Sequence, residues 1–221
     1  MSWLFLAGWA VGVLAVLALA VTWIGPALLL RRHGAIEAGS GQAPLAQGLL
    51  AELAPEARIT CPRLFVIAAP QPNGFALAGR EASMVAVTEG VFDRLDAPQL
   101  RGLLALLVSR LAHPRARIET AVAALAMILA PFVLPSMALV RIGLRGDRWY
   151  EVDESAAALV GGKAVAAALE RLEADRAGGS ETTSTASLFC VNPDLSTGLV
   201  ARALATQPST DARIARLKRR S

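Results

Sequence analysis

The stretch DAPQLRGLLALLVSRLAHP, which runs from Asp96 to Pro114, decides the fold. Its first residue is a good N-cap for a helix, and Pro98 fits the first helical turn, where a missing backbone N–H has little effect. The apolar run from Leu100 to Leu111 then predicts a largely buried helix. Because a proline disfavours helical backbone in the residue before it, the helix should end at Pro114.

Short apolar runs before this helix predict a small sheet. The strand candidates are Arg63–Ala69, Phe75–Ala78 and Ser83–Val87. A Pro-Gln-Pro-Asn-Gly turn at 70–74 separates the first two candidates. Successive short strands joined by turns are typical of an antiparallel meander, which is the arrangement we predict. A short helix at Pro44–Ala54 should precede the sheet.

Helices also dominate the second half of the chain. Alanine and leucine recur at helical spacing from Glu151 to about Ala177, with an interruption expected at Gly161 and Gly162. The composition of residues 178–187 is that of a flexible loop. Asp211 could cap a terminal amphipathic helix, whose basic C-terminal end suits the helix dipole.

The N-terminus carries a candidate membrane helix. No charged residue lies between Trp3 and Leu30, and a helix of that length would be about 42 Å long, more than a bilayer core requires. A cleaved signal peptide fits less well, because no Lys or Arg precedes the apolar run. Trp3 and Trp23 fall near the two interfaces, and Arg31 and Arg32 follow at once. The positive-inside rule therefore predicts an N-terminus outside and the bulk of the chain in the cytoplasm.

A second uncharged stretch, Ala121–Val140, contains Pro131 and Pro135 and has arginines on both sides. Basic flanks at both ends favour a re-entrant or interfacial pair of short helices over a simple crossing. A buried hairpin inside the domain remains the alternative. The predicted organisation is a transmembrane helix at 1–32, a linker with a short helix at 33–59, and a domain at 60–221 with a hydrophobic insertion at 119–141.

Composition excludes several classes of protein. Of the 221 residues, 54% are hydrophobic and 18% are charged, and the mean hydropathy is +0.48, which excludes global disorder and favours a membrane protein of one domain. The net charge of +4 comes without a basic run interleaved with aromatic residues, so nucleic acid is a poor partner. The two cysteines, Cys61 and Cys190, form neither a disulfide framework nor a paired metal motif.

Five short segments follow one another in a fixed order along the chain. They are PQPNGFA at 70–76, VTEGV at 87–91, the helix from Gln99, RWYEVD at 148–153 and TQPSTDARI at 206–214. This order resembles that of HtpX-type membrane zinc metalloproteases. That family has a Pro-Asn-Ala-Phe turn, a Val-Thr-x-Gly-Leu strand end, a helix with HExxH, an Arg-Glu-Tyr-x-Ala-Asp segment and a terminal Thr-His-Pro signature followed by Arg-Ile. The resemblance implies an α+β, zincin-like fold, mainly helical with a small antiparallel sheet.

The same resemblance places the family's catalytic residues on side chains that cannot do the chemistry. The two His and the Glu of HExxH fall on Leu106, Leu107 and Arg110, and the third zinc ligand falls on Trp149. Leucine binds no metal, arginine stays cationic, and the indole offers a metal no lone pair. We therefore predict no catalytic zinc and no other cofactor at these positions.

A relocated site has few candidate ligands. Glu151, Asp153 and Glu154 follow the Trp149 position, and His113 lies three residues beyond Arg110 on nearly the same helix face. A plain reading of the acidic residues is a solvated helix start, where negative charge is favourable. We expect Arg110 to form a salt bridge with one of these carboxylates in place of the metal.

These residues lead to a main hypothesis and an alternative. The main hypothesis is a catalytically inactive homologue, not an enzyme, that serves as a binding or assembly subunit of a membrane protein complex. Its partners would be the lipid bilayer and another membrane protein, in a membrane of the bacterial inner type. A peptide could pair with the sheet edge at Asn73, Gly74, Phe75 and Ala76. The alternative is a membrane metallopeptidase with a non-standard metal site.

Overall fold

All the strands that the structure describes lie between residues 36 and 88, and helices precede and follow them along the chain. A computed structural model describes residues 9, 21–39, 41–129, 148–175, 189–190 and 208–220. In these residues the elements are α1 (21–32), β1 (Ile36–Glu37), α2 (Pro44–Glu56), β2 (Arg63–Ile67), β3 (Gly74–Ala78), β4 (Ser83–Thr88), α3 (Gly90–Arg94), α4 (Ala97–Ala112), α5 (Ala116–Ile128), α6 (Arg148–Val160), α7 (Gly162–Ala174) and α8 (Thr210–Arg220).

Helix α4 confirms the prediction from its sequence. Asp96 and Gln99 form a capping box, in which the Asp96 side chain accepts from the Gln99 N–H at 2.8 Å and the Gln99 side chain accepts from the Asp96 N–H at 3.1 Å. Every residue from Gly102 to Leu111 is buried, and the helix ends at Ala112, before Pro114. These local signals therefore set both ends of the central helix.

Close backbone contact holds α4 against α7. A Cβ atom at Gly102 would lie 2.3 Å from the carbonyl oxygen of Ala164, so only glycine allows the two helices to approach this closely. Helices α2 and α6 also pack on α4. The predicted interruption between α6 and α7 is confirmed at Gly161, whose φ is +86°.

The sheet has four strands in the order β1-β2-β4-β3, and the prediction of an antiparallel meander is wrong. β3 and β4 form an antiparallel hairpin, whereas β2 pairs with β4 in parallel. In the sheet, β4 therefore lies between β2 and β3, although it follows both of them in sequence. The prediction missed β1, a two-residue strand beside β2, because it is too short to carry a periodic pattern.

The sheet separates two apolar layers. On one face lie α2, α4, α6 and α7, which contribute most of the larger core cluster. On the other face α1 and α5 pack together and onto the sheet, with Leu29, Phe65, Phe75 and Ala124 in the cluster. A Cβ atom at Gly25 of α1 would meet that of Ala124 at 2.7 Å, so the two helices are in intimate contact. The fold is thus α+β and mainly helical, as predicted.

Parts of the predicted membrane topology lie outside the described residues. Among the residues described, no helix is both long enough and apolar enough to cross a bilayer. Of the predicted insertion at 119–141, the structure describes the part up to Leu129, which is helical through Ile128. The predicted loop at 178–187 is outside the described ranges, as is most of the predicted helix at 1–32.

The terminal helix α8 begins near the predicted position but with a different cap. Ser209 precedes α8, and its hydroxyl accepts a hydrogen bond from the Ala212 N–H at 3.3 Å. Asp211, the predicted cap, lies in the first turn instead, where its charge suits the helix dipole.

Candidate functional site

Two adjacent leucines of α4 lie between the helix layer and the sheet. Leu106 and Leu107 are buried, with 2% and 0% of their surface exposed. A Cβ atom at Gly74 would lie 3.2 Å from a methyl group of Leu107, so α4 packs directly against β3. The space in which the resemblance would place a histidine and a glutamate is therefore filled with apolar side chains.

Arg110, one turn further along α4, is buried and paired. Its guanidinium lies 3.4 Å from the Glu119 carboxylate of α5, and Arg148 reaches the other oxygen of Glu119 at 2.6 Å. The expected salt bridge thus exists, but with Glu119 rather than with a carboxylate of α6. Burial lowers the pKa of the Arg110 guanidinium, and the carboxylate of Glu119 opposes this shift.

Trp149 contacts two arginines. The guanidinium carbon of Arg110 is 4.6 Å from the centre of the indole, and that of Arg213 from α8 is 4.7 Å away. Both distances fit cation–π contacts, which are strengthened where water is excluded. The indole therefore helps to stabilise two buried positive charges.

Asp153 neutralises the second of these arginines. Arg213 donates to both carboxylate oxygens of Asp153, at 2.8 and 2.6 Å, and both side chains are almost fully buried. A third donor of Arg213 reaches the carbonyl oxygen of Cys190 at 2.7 Å. This network, formed by Arg110, Glu119, Arg148, Trp149, Asp153 and Arg213, is termed the charge network below.

The charge network does not fit a zinc ion. Zinc takes nitrogen, sulfur or carboxylate ligands, whereas the positions that the resemblance implies for them hold two leucines, a buried guanidinium and an indole. Glu119 and Asp153 are engaged by arginines. Within the described part of the chain, no three His, Cys, Asp or Glu residues are grouped so as to hold a metal. No chemical step is therefore assigned to a metal at these positions.

A second ionisable pair lies at the end of α4. His113 Nε2 is 3.3 Å from a carboxylate oxygen of Glu151 on α6. The Arg115 N–H points at His113 Nδ1, 3.2 Å away, which makes Nδ1 the acceptor and places the proton of a neutral imidazole on Nε2, facing Glu151. Glu151 is exposed, so the pair meets solvent, unlike the charge network.

The other carboxylates of α6 are engaged. Glu154 accepts from Arg216 of α8 at 2.7 and 3.0 Å, and Asp153 belongs to the charge network. Of the three acidic residues considered for a relocated site, only Glu151 thus lies beside a histidine.

The predicted peptide-binding residues lie at the edge of the sheet. β3 is an outer strand, and Asn73, Gly74, Phe75 and Ala76 are all buried. The Asn73 N–H donates to the Thr88 hydroxyl at 2.8 Å, and this hydroxyl donates to the carbonyl of Gln71 at 2.7 Å, which fixes the turn before β3. That this edge binds a peptide stays a prediction.

Known proteins resemble this chain along most of its length. A protein from Ralstonia pickettii (strain 12J) named "Protease HtpX homolog" is 30% identical over 88% of this chain and 80% of its own length. The chain belongs to the HtpX family. A protein of the same name from Burkholderia mallei (strain SAVP1) is 29% identical with the same coverage. No family model matches the chain.

Membership of the HtpX family corrects the main functional hypothesis. We expected a protein that is not an enzyme and that serves as a binding or assembly subunit. The relatives contradict this expectation, because they are named proteases. The alternative, a membrane metallopeptidase with a non-standard site, agrees better with an HtpX relationship.

The sequence did not indicate two partners in the charge network, Glu119 and Arg213, or the contact that Arg213 makes with Cys190. Glu119 is interpreted from the sequence only as the start of an apolar insertion, although a lone carboxylate beside such a stretch signals a buried partner. Arg213 belongs to the terminal Arg-Ile signature, but its ligand Asp153 is 60 residues away. Nothing in the sequence near Cys190 indicates that its carbonyl group accepts from Arg213.

Proposed function

We propose that this chain is a membrane-associated peptidase of the HtpX family that takes its polypeptide substrates in extended form. The observation that carries the proposal is similarity to proteins named proteases over 88% of the chain. The sheet edge at β3 supports it, because an outer strand can accept an extended peptide through backbone hydrogen bonds.

We propose Glu151 as the group that moves protons and His113 as the residue that positions it. Glu151 is exposed, and its carboxylate can take a proton from a water molecule that attacks a peptide carbonyl. The protonated carboxyl group can then give this proton to the leaving amine as the peptide C–N bond breaks. His113 holds that carboxylate in place through the 3.3 Å contact at Nε2. The pair supplies two ligand types that zinc accepts, whereas a catalytic zinc takes three protein ligands, so the proposal routes no step through a metal.

Apolar surface on α1 and α5 supports contact with a bilayer. Trp23 and Ile24 of α1 and Ile118 and Ile128 of α5 are all about half exposed, at 48%, 55%, 58% and 47%. Large apolar side chains left in solvent on two packed helices favour a membrane or membrane-protein surface. We propose a location at a membrane of the bacterial inner type. Arg31 and Arg32, which follow the apolar N-terminal stretch, support an orientation with the N-terminus outside and the bulk of the chain in the cytoplasm.

Hydrolysis by the purified full-length chain tests this function. The chain is extracted in mild detergent, its metal content is measured by mass spectrometry, and it is incubated with unfolded casein, with and without EDTA. The proposal predicts cleavage products that are absent when His113→Ala replaces the wild type. A folded wild-type protein that leaves casein intact with and without added zinc would contradict the proposal. One bound metal per chain, together with loss of cleavage in EDTA, would mean that the pair of His113 and Glu151 acts together with a metal.

A further inference from the structure

A short segment of the chain covers the outer edge of β3. The Cys190 N–H donates to the Gly74 carbonyl oxygen at 2.8 Å, and Phe189 forms an antiparallel bridge with Phe75. At the other end of the strand, the Ala78 N–H donates to the Thr120 hydroxyl at 2.9 Å. Backbone groups at both ends of the free edge are therefore already paired within the molecule.

Phe189 is held in an aromatic seat, which we define as Phe75 and His33. Only 1% of Phe189 is exposed, and its ring meets that of Phe75 edge to face at 5.1 Å. The imidazole of His33 lies 5.3 Å from the rings of both phenylalanines. Such edge-on contacts stabilise aromatic pairs beyond the effect of burial alone.

The charge network fastens the same segment from the other side. Arg213 donates to the carbonyl oxygen of Cys190 at 2.7 Å while Asp153 holds the guanidinium through two hydrogen bonds. Residues 189–190 are thus fixed by the β3 backbone, by the aromatic seat and by a buried arginine. A hydrogen bond from a charged donor in a buried site is among the stronger ones in proteins.

We infer that residues 189–190, termed the strap, occupy the place of a substrate strand and keep the β3 edge closed until a polypeptide displaces them. The strap pairs with β3 through its backbone and in antiparallel sense, which is how a peptide adds to a sheet edge. The aromatic seat then favours an extended substrate with an aromatic side chain at the position of Phe189. This inference rests on the proposed function and gives it a substrate class and a control.

Peptide binding to the full-length chain in detergent tests the inference. The probe is a fluorescein-labelled peptide with the sequence of residues 186–193, ASLFCVNP, in which serine replaces the cysteine. Affinity is measured by fluorescence anisotropy for the wild type and for Phe189→Ala. The matched control is Phe92→Ala, which removes a phenylalanine of α3 that packs against the other core cluster and not against the one that contains Phe75 and Phe189. Hydrogen exchange at residues 74–78 shows whether the edge is released.

Phe189→Ala should bind the peptide at least about tenfold more tightly than the wild type, because the peptide then displaces a strap that is held less tightly on the β3 edge. Phe92→Ala should bind like the wild type, and a peptide with alanine at the aromatic position should bind weakly to all three. Cys190→Pro, which removes the N–H that Gly74 accepts, gives a second variant if Phe189→Ala does not fold. Equal affinity and equal exchange in the wild type and a folded strap variant would overturn the inference. Binding to none of the chains, with exchange at 74–78 raised in the strap variants, would instead overturn binding at this edge and so the extended-substrate part of the proposed function.

Discussion

Two charged pairs lie about one helical turn apart on α4 and differ in their surroundings. Arg110 is buried beside Glu119 and Trp149, and its network continues to Asp153 and Arg213. His113 faces Glu151, whose side chain is 69% exposed. Charges removed from water are stable only while their partners stay in place, whereas an ion pair that meets solvent contributes little to stability. We therefore propose that the first pair stabilises the fold and that the second takes part in the chemistry.

The largest expected effect comes from breaking the Asp153–Arg213 pair. Asp153→Asn removes the negative charge that Arg213 needs in a buried site, and the free energy of unfolding should fall by about 3–5 kcal/mol. Urea unfolding of the full chain in detergent, followed by circular dichroism, measures this loss. Glu154→Gln on the same helix is the matched control, because its partner Arg216 is partly exposed and the loss should be small. Equal losses in both variants would mean that burial does not distinguish the two pairs.

Glu119→Gln should have a somewhat smaller effect. Two guanidiniums, Arg110 and Arg148, would keep a neutral amide acceptor but lose the charge between them. The expected destabilisation is about 1–3 kcal/mol by the same unfolding assay. Arg110 would remain on the face of Trp149, which limits the loss. An unchanged stability would show that Glu119 does not hold the two arginines in solution.

The two cysteines differ in their exposure to solvent, and this difference gives the next prediction. Burial raises the pKa of Cys190 from 9.0 to about 11, whereas Cys61 is exposed. At pH 8 a thiol reagent such as DTNB should therefore modify Cys61 quickly and Cys190 slowly, and Cys61→Ser should remove the fast phase. The unfolded chain releases the Cys190 proton at lower pH than the folded chain, so the thiol's contribution to stability falls from about pH 9 to about pH 11. Fast labelling of both cysteines would contradict the burial of the strap.

The smallest expected effect on stability is that of the exposed pair. Glu151→Gln removes a solvent-exposed carboxylate, and the free energy of unfolding should change by less than about 1 kcal/mol. The same urea assay measures it beside Asp153→Asn. A loss as large as that of Asp153→Asn would place Glu151 in the structural network and remove the distinction between the pairs.

Local signals in the sequence predicted the helices and most of the strands, whereas contacts between residues far apart in the chain could not be predicted. Asp96, Gln99 and Pro114 set the limits of α4, because caps and prolines act within a few residues. The parallel pairing of β2 with β4 depends on how β3 and β4 form their hairpin, and the sequence of a single strand does not indicate its partner. Likewise, the pair of Arg213 and Asp153 joins two helices through residues that are 60 positions apart in the chain.

In the candidate site, too, the local chemistry of a side chain could be predicted, but its partner in the fold could not. That Leu106, Leu107, Arg110 and Trp149 cannot bind a metal could be predicted, since a side chain's chemistry is independent of the fold. The partner of Arg110 could not, because both α5 and α6 carry carboxylates, and only the packing of the helices selects Glu119. The prediction that the chain is not an enzyme followed from these four side chains, and it is contradicted by the relatives, which are named proteases.

The rate at which Glu151→Gln hydrolyses unfolded casein tests the central claim most directly. Wild type, Glu151→Gln and Glu154→Gln are compared at equal concentrations of folded protein. If Glu151 accepts the proton of the attacking water, its variant should lose about a hundredfold or more in rate while keeping wild-type stability. Glu154→Gln should retain nearly the full rate. Equal rates for Glu151→Gln and the wild type would contradict the assignment of chemistry to the exposed pair.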